Sequence, residues 1–302
     1  MPILEENLEN KKRSRWARWG ILGLVLANLF VWLALVGNWR QKDLEVWFFD
    51  VGQGDAAFAQ LPNGVQILFD GGPDNSVLEK LGKTMPFYDR DIDWVVLSHP
   101  ERDHLAGLVA VLKNYRVHNI IWSGIAKDNA ESREWSDLIA KEGANVVIAA
   151  AGEKFDLGGS PAGGVACGLE ILAPVGGDLK SSQSQNEFSV MARLVYGQRS
   201  FVFTGDATSK EEEAALLVDS RQADVLKVAH HGSKTSADDV FAARFLPAAA
   251  VISAGLNNSY GHPHQETLDL LTKYDIKTLR TDQNGDIVFR TNGENIFVST
   301  QK

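Results

Sequence analysis

The sequence predicts an α/β domain preceded by one N-terminal transmembrane helix. Two observations carry that expectation. An uncharged, largely apolar run extends from Trp19 to Trp39, and from Leu44 onward strand-like and helix-like segments alternate. A third observation bears on chemistry: six of the seven histidines sit in short motifs at strand ends, and only His118 lies elsewhere. With 302 residues, 44% of them hydrophobic and 23% charged, the chain has material for a substantial core and is not of disordered composition.

The apolar run comes first. Lys11, Lys12, Arg13, Arg15 and Arg18 precede it, while only Arg40 and Lys42 follow closely. About twenty apolar residues span a hydrocarbon core as a helix. The basic bias predicts a single pass through a bacterial-type cytoplasmic membrane, N-terminus inside and the remainder outside. A cleaved signal peptide is the alternative. Against it, no clear A-x-A site follows Ala34 and Gly37, and Trp32 and Trp39 suit a membrane interface. The expected organisation is a basic tail over 1–18, an anchor over 19–39 and one folded domain over 43–302.

Within that domain, strands are expected at Leu44–Val51, Ala56–Gln60 and Val65–Phe69, separated by Gly-Gln-Gly-Asp and Pro-Asn-Gly turns. Trp94–Leu97 reads as a strand and Leu105–Leu112 as a helix. Later strands are expected at Val146–Ala149, Glu170–Ala173, Val190–Tyr196, Phe201–Thr204, Val225–Val228, Ala250–Ser253 and Ile287–Phe289. Helices are expected at Glu134–Glu142, Lys210–Val218, Asp238–Phe245 and Glu266–Tyr274, and the Gly/Ala/Ser-rich stretch 150–168 reads as a loop. The single cysteine, Cys167, excludes an intramolecular disulfide and a cysteine-rich zinc site, and reads as a small buried residue. Residues 43–302 hold 23 basic and 36 acidic side chains, a net charge of −13, which excludes nucleic-acid binding through a diffuse basic surface.

The densest motif is Leu97-Ser98-His99-Pro100-Glu101-Arg102-Asp103-His104, four ligand-type side chains within six positions on a strand-to-helix turn. So many acceptors in one place call for a cation among them, and a pair of divalent metals is the simplest answer. Three further strand ends carry Phe203-Thr204-Gly205-Asp206, His230-His231-Gly232-Ser233 and Tyr260-Gly261-His262-Pro263-His264. Each alone is an ordinary turn; together they gather nearly all the histidine in the chain.

The run His99-x-Glu101-x-Asp103-His104 resembles the H-x-[HDE]-x-D-H signature of the metallo-β-lactamase fold. In order, Asp50-Val51-Gly52-Gln53-Gly54-Asp55-Ala56, Asp70-Gly71-Gly72, Phe203-Thr204-Gly205-Asp206, His230-His231-Gly232-Ser233 and Tyr260-Gly261-His262-Pro263 are similar to the extracytoplasmic hydrolase domain of ComEC-type competence proteins. The resemblance covers about residues 44–290 and none of the multi-helix channel of those proteins. It implies a four-layer αββα metallo-β-lactamase sandwich with its site at the edge of two packed sheets. It also implies that His99 and Glu101 hold a first metal, Asp103 and His104 a second, that Asp206 bridges both, and that His230 completes the second site with His231 beside it. Which of His230 and His231 ligates stays open. Asn186 stands where many enzymes of this fold place a further histidine, so the first metal is expected to be loosely held or open to substrate. Three imidazoles and three carboxylates suit either Zn²⁺ or Mn²⁺.

Two such ions lower the pKa of a bound water enough to supply hydroxide near neutral pH, and they clamp a phosphoryl oxygen. No side-chain nucleophile is then required. Asp103, Asp206, His231 and His262 are the expected catalytic residues, with His231 or His262 holding a phosphate oxygen or protonating the leaving oxygen. Asn186, Ser233, Lys234, Tyr260 and the Gly52–Gly54 turn are candidate substrate contacts. Asp55 and Asp70 are expected mainly to cap their own turns, Asp55 with a second option of orienting a metal-bound histidine. The expected function is a membrane-anchored phosphodiesterase or nuclease acting on DNA outside the membrane, beside a separate DNA-uptake channel protein. A small-molecule phosphodiesterase or lactone/thioester hydrolase, or a non-catalytic DNA- or protein-binding subunit, is the alternative.

Overall fold

A computed structural model describes residues 2–38, 43–159, 165–176, 185–236 and 238–302, with side chains of the first helix over 15–33. The chain divides into two compact units, Met1–Lys42 and Asp43–Lys302. The first is a single helix, α1 (Pro2–Asn38), in which Arg15–Leu33, with a mean hydropathy of 1.5, is long and apolar enough to cross a membrane. The side chains of Lys11, Lys12, Arg13, Trp39, Arg40 and Lys42, used above to orient the anchor, lie outside the described residues.

The second unit begins with β1 (Leu44–Phe48), β2 (Ala57–Gln60), β3 (Gln66–Phe69), α2 (Ser76–Thr84), β4 (Asp91–Val96), α3 (Arg102–Asn114), β5 (Arg116–Trp122), α4 (Ala130–Glu142) and β6 (Asn145–Ile148). It continues through β7 (Lys154–Gly159), β8 (Ala166–Ala173), β9 (Met191–Tyr196), β10 (Arg199–Phe203), α5 (Ser209–Val218), β11 (Val225–Lys227), α6 (Asp239–Phe245) and β12 (Ala249–Ile252). It closes with α7 (Gln265–Lys273), β13 (Lys277–Arg280), α8 (Thr281–Asn284), β14 (Ile287–Thr291) and β15 (Ile296–Thr300). Among the described residues these strands form an eight-stranded sheet, β15-β14-β1-β2-β3-β4-β5-β6, and a seven-stranded sheet, β13-β12-β11-β10-β9-β8-β7.

Alternation within the strands gives each sheet two apolar faces. The inner faces meet in one core that includes Phe48, Phe69, Leu169, Leu194, Phe201, Phe203 and Phe289. The outer face of the first sheet is covered by α2, α3 and α4 through residues such as Leu81, Leu108 and Trp135. That of the second is covered by α5 and α6 through Ala215, Phe241 and Phe245, and by α7 through Leu271. The order of layers is αββα, the expected four-layer sandwich.

Two expectations need correction. The stretch 150–168 is not a loop: β7 lies within it and β8 begins in it, while residues 160–164 lie outside the described residues. Its glycines concealed an edge strand, because β7 pairs only with β8 and needs little side-chain packing of its own. The segments α2, β5, β13 and β15 were not expected at all. β5 follows α3 with only Tyr115 between and no Gly or Pro to mark the change, so its parallel pairing with β4 and β6, not its turn chemistry, makes it a strand.

The layout places the chemistry. β3 and β4 run parallel, as do β10, β11 and β12. The chain leaves their carboxyl ends at Asp70, Ser98–His99, Asp206, His230–His231 and Ser253, five short segments on one edge of the sandwich. Just beneath them Phe69 of the first sheet stacks on Phe203 of the second, with centroids 3.8 Å apart and planes at 10°. These two rings immediately precede the Asp70 turn and the Thr204-Gly205-Asp206 turn, and so fix the spacing across the site.

Candidate metal centre

The run from His99 to His104 folds as the sequence suggests. Glu101 is the extended residue before α3, and Asp103 and His104 occupy the first turn of that helix. The turn Asp70-Gly71-Gly72 lies against α3 at very short range. A Cβ on Gly107 would come within 1.8 Å of Gly71 O, and one on Gly71 within 2.3 Å of Leu108 N. Only glycine at both positions lets Asp70 reach His104.

Each buried histidine is oriented from behind. His104 Nδ1 lies 2.8 Å from Asp70 Oδ2, a carboxylate that can only accept, so Nδ1 carries the proton. Ser98 donates to the same carboxylate from its Oγ at 2.7 Å, which leaves that oxygen to accept from His99 Nδ1 at 3.0 Å. His231 Nδ1 faces Ser253 O at 3.0 Å and Asp55 Oδ1 at 3.2 Å, two further acceptors. All three imidazoles therefore present Nε2 to the same point. Asp206 stands there: its Oδ1 is 3.2 Å from His104 Nε2 and 3.8 Å from His231 Nε2, and its Oδ2 is 3.8 Å from His99 Nε2 and from His230 Nε2. Asp103 Oδ2 is 3.2 Å from His231 Nε2.

Asp70 does not cap its own turn, as expected from sequence; at φ 54° it turns inward to Ser98 and His104. Asp55 likewise serves His231 and the buried Lys227, whose Nζ lies 2.7 Å from Oδ2. Both His230 and His231 adopt left-handed backbone, at φ 49° and 53°, a conformation costly for residues with a Cβ. It is held by His230 N donating to Gly205 O at 3.0 Å and Ser233 N to His230 O at 2.8 Å. This double left-handed turn aims both rings at Asp206.

The electrostatics are those of a site awaiting a cation. Burial and the neighbouring His104 hold His99 down to about 3. Burial opposes charge on His231 as well, but Asp206 and Asp55 outweigh it and lift the ring to about 9. Asp206, despite burial, is held well below the usual carboxylate range by His104 and His231. His262 is brought down to about 4 by burial and by His231, His230 and His264, so in the metal-free protein it is neutral near pH 7 and able to hydrogen-bond there. Burial and Asp156 push the Cys167 thiol up to about 12, consistent with an inert buried residue.

The donor set fits divalent metal. His99 Nε2 is buried without a hydrogen-bond partner and converges with His104 Nε2 and Asp206 Oδ1 from three elements, a donor set that a divalent cation satisfies. A second cluster, Asp103, His104 and His231, shares His104 with the first. Above them opens a polar cavity of about 270 Å³ lined by Gln53, Glu101, Asp103, Asn186, Asp206, His230, His231, Tyr260 and His262.

The sequence and the fold are similar to those of known proteins. Residues 49–255 match the family model of the metallo-beta-lactamase superfamily. The chain belongs to that superfamily. Among curated members it is 30% identical over 289 residues to the ComE operon protein 3 of Bacillus subtilis (strain 168), covering 90% of this chain and 35% of that protein. It is 29% identical over 252 residues to the competence protein ComA of Neisseria gonorrhoeae, covering 82% and 32%. The chain thus spans about a third of the length of these relatives. Among solved structures, CmlA, a diiron β-hydroxylase from Streptomyces venezuelae, shares the metallo-β-lactamase fold with a TM-score of 0.51 at 14% identity over 80% of this chain and 53% of CmlA.

Against the expected site, His99, Asp103, His104 and Asp206 converge with His231, while Asn186, Tyr260, His262 and Glu101 line the cavity over them. His230 reaches Asp206 from the other side, through Oδ2. Ser233 and Lys234 are not on the cavity wall: Ser233 is buried with its Oγ against Thr235 Oγ1, and Lys234 contributes its backbone N to His264 Nδ1. Glu101 pairs with Lys127, 26 residues along the chain in the loop before α4. Sequence reasoning also missed Ser98, Lys127 and Lys227, and it named Gln53 only as part of the Gly52–Gly54 turn. Ser98 and Lys227 had a usable signal, since each flanks a histidine motif at a strand end.

Proposed function

We propose that the chain is a metal-dependent phosphodiesterase whose site would hold two divalent cations, Zn²⁺ or Mn²⁺, with Asp206 shared between them. The carrying observation is the common aim of His99, His104 and His231: three Nδ1–H groups engaged by acceptors behind, three Nε2 atoms turned to one carboxylate. Asp103, His104, His231 and Asp206 would hold the second cation; His99, His230 and Asp206 would hold the first, with Glu101 joining them from the cavity wall. His231, with its Nε2 near Asp103, suits the second position better than His230.

The cations supply a low-pKa water and charge for a developing phosphoryl oxyanion. The protein's part is positional. Asp70, Ser98 and Asp55 hold the imidazoles in one tautomer, and Asp206 fixes the two positions relative to each other. Neutral His262, stacked 5.7 Å from Tyr260, lies over the cavity where it can donate a hydrogen bond to a non-bridging oxygen. With competence proteins as relatives, the substrate proposed is DNA outside a membrane crossed by α1, acting beside a separate channel protein.

The cavity itself favours a second reading of the substrate. Among the described residues no lysine or arginine lines it, which suits a small phosphodiester as well as a polynucleotide. Assays of single-stranded DNA and of bis-p-nitrophenyl phosphate with Mn²⁺ or Zn²⁺ separate the two. Asp206→Ala is expected to abolish turnover and to remove bound metal together; loss of turnover with metal content unchanged would overturn the bridging role.

A further inference from the structure

Glu101 lines the cavity, yet its carboxylate is engaged by an ammonium from outside the motif run. Lys127 Nζ donates to Glu101 Oε1, with the two side chains 29% and 34% exposed. Glu101 makes no capping bond to α3, so this ion pair is what holds its side chain. Lys127 sits in the loop between β5 and α4, on a four-carbon stem with room to move.

We infer that Lys127 is a specificity-determining contact for an anionic phosphoryl group, held in reserve by Glu101 until a cation takes that carboxylate. The charges argue for it. Glu101, Asp103 and Asp206 bring three negative charges to the cavity, and among the described residues its lining includes no Lys or Arg. Two dications against these three carboxylates leave a single positive charge. A phosphodiester carries one negative charge and gathers a second as the nucleophile adds, so one further cation at the wall completes the balance. Once a cation neutralises Glu101, the Lys127 ammonium loses its anionic partner while remaining beside the cavity mouth. A phosphoryl oxygen there replaces it. A neutral lactone or ester has no such charge to offer, so the same residue disfavours that class.

The inference rests on the phosphodiesterase reading, but its test is arranged to stand apart. The full chain in detergent micelles is stripped of metal and titrated with Mn²⁺ by calorimetry, as wild type, Lys127→Gln and Lys127→Arg. Inorganic phosphate is then titrated into each Mn²⁺-loaded protein. Lys127→Gln is expected to take up Mn²⁺ several-fold more tightly, because the competing ammonium is gone. It is expected to bind phosphate roughly tenfold more weakly, the usual worth of one charged hydrogen bond, with Lys127→Arg restoring most of the loss. Phosphate binding unchanged in Lys127→Gln overturns the inference, whatever happens to Mn²⁺. Lys127-dependent phosphate binding in a protein that cleaves no phosphodiester leaves it standing and removes the proposed activity instead. Circular dichroism of the three proteins establishes that they share one fold; if Lys127→Gln does not fold, an unchanged phosphate affinity in Lys127→Met overturns the inference equally.

Discussion

Lys227 Nζ lies 2.7 Å from Asp55 Oδ2 with both side chains closed to solvent, and the other oxygen of the same carboxylate lies 3.2 Å from His231 Nδ1. Lys227 also donates to Val228 O at 2.8 Å. Burial alone would neutralise Asp55; Lys227 and His231 instead keep it ionised, well below the usual carboxylate range. A charge is thereby stored behind the metal centre, where it locks His231 in the tautomer that points Nε2 at Asp206.

Removing Lys227 therefore strands a buried anion. Lys227→Met is expected to lower stability by about 3–5 kcal/mol, the usual cost of breaking a buried pair. Asp55→Asn combined with Lys227→Met is expected to recover most of that loss, yet to bind metal about 10–100-fold more weakly than wild type because His231 loses its carboxylate. Urea unfolding and Mn²⁺ titration on the single and double variants check both parts.

His230 and His231 should be distinguishable. His231→Ala removes the imidazole set between Asp103 and Asp206 Oδ1 and is expected to cost one bound metal per chain and most turnover. His230→Ala touches only Oδ2 from a partly exposed position and is expected to keep the second metal. Metal content per chain after gel filtration decides; equal losses in both variants would remove the distinction.

The pH dependence of the metal-free protein follows from histidines shifted in opposite directions, His231 and His104 upward and His99 and His262 downward. His231, lifted to about 9 from an ordinary 6.5, contributes stability that is complete below pH 6.5 and is lost as pH rises through about 9. His99, held down to about 3, contributes stability present above pH 6.5 and lost as pH falls toward 3. After chelation the thermal midpoint is expected to peak near pH 6.5. Saturating Mn²⁺ is expected to flatten the alkaline limb, since a cation replaces the proton on His231. A midpoint still rising from pH 7 to 9 without metal would contradict the assignment.

Gly107→Ala is expected to destabilise the domain by at least 1–3 kcal/mol, the usual range for overpacking, because its methyl would meet Gly71 O at 1.8 Å. The displaced turn carries Asp70, so weaker metal binding should accompany the lower unfolding midpoint. A variant as stable as wild type would show that the turn and α3 can separate freely.

Much of the architecture was legible locally. The strands ending at Phe48, Phe69, Phe203 and Ile252 are short apolar runs closed by Gly, Asp or Ser, and the turns after them carry the site. The strands that escaped notice, β5, β7, β13 and β15, mix polar and charged residues with apolar ones and owe their conformation to neighbours across the sheet. Asp70 illustrates the same limit at one residue. A Gly-rich turn suggests a local cap, but the glycines serve close approach to α3, and that approach carries the carboxylate to His104.

By itself the sequence named the candidate ligands: His99, Glu101, Asp103, His104, Asp206 and the His230–His231 pair at strand ends. That is a local property, since strand periodicity and turn residues are written over a few positions. Tertiary structure decided the pairings. Left-handed backbone at His230 and His231 chose which ring faces Asp103, Lys227 arrived from β11 to hold Asp55 after β1, and Lys127 came from beyond β5 to claim Glu101. Lys127 meets Glu101 across the neighbouring strands β4 and β5 of one sheet, whereas Lys227 and His231 reach Asp55 and Asp103 only through the stacking of the two sheets, with Phe69 on Phe203.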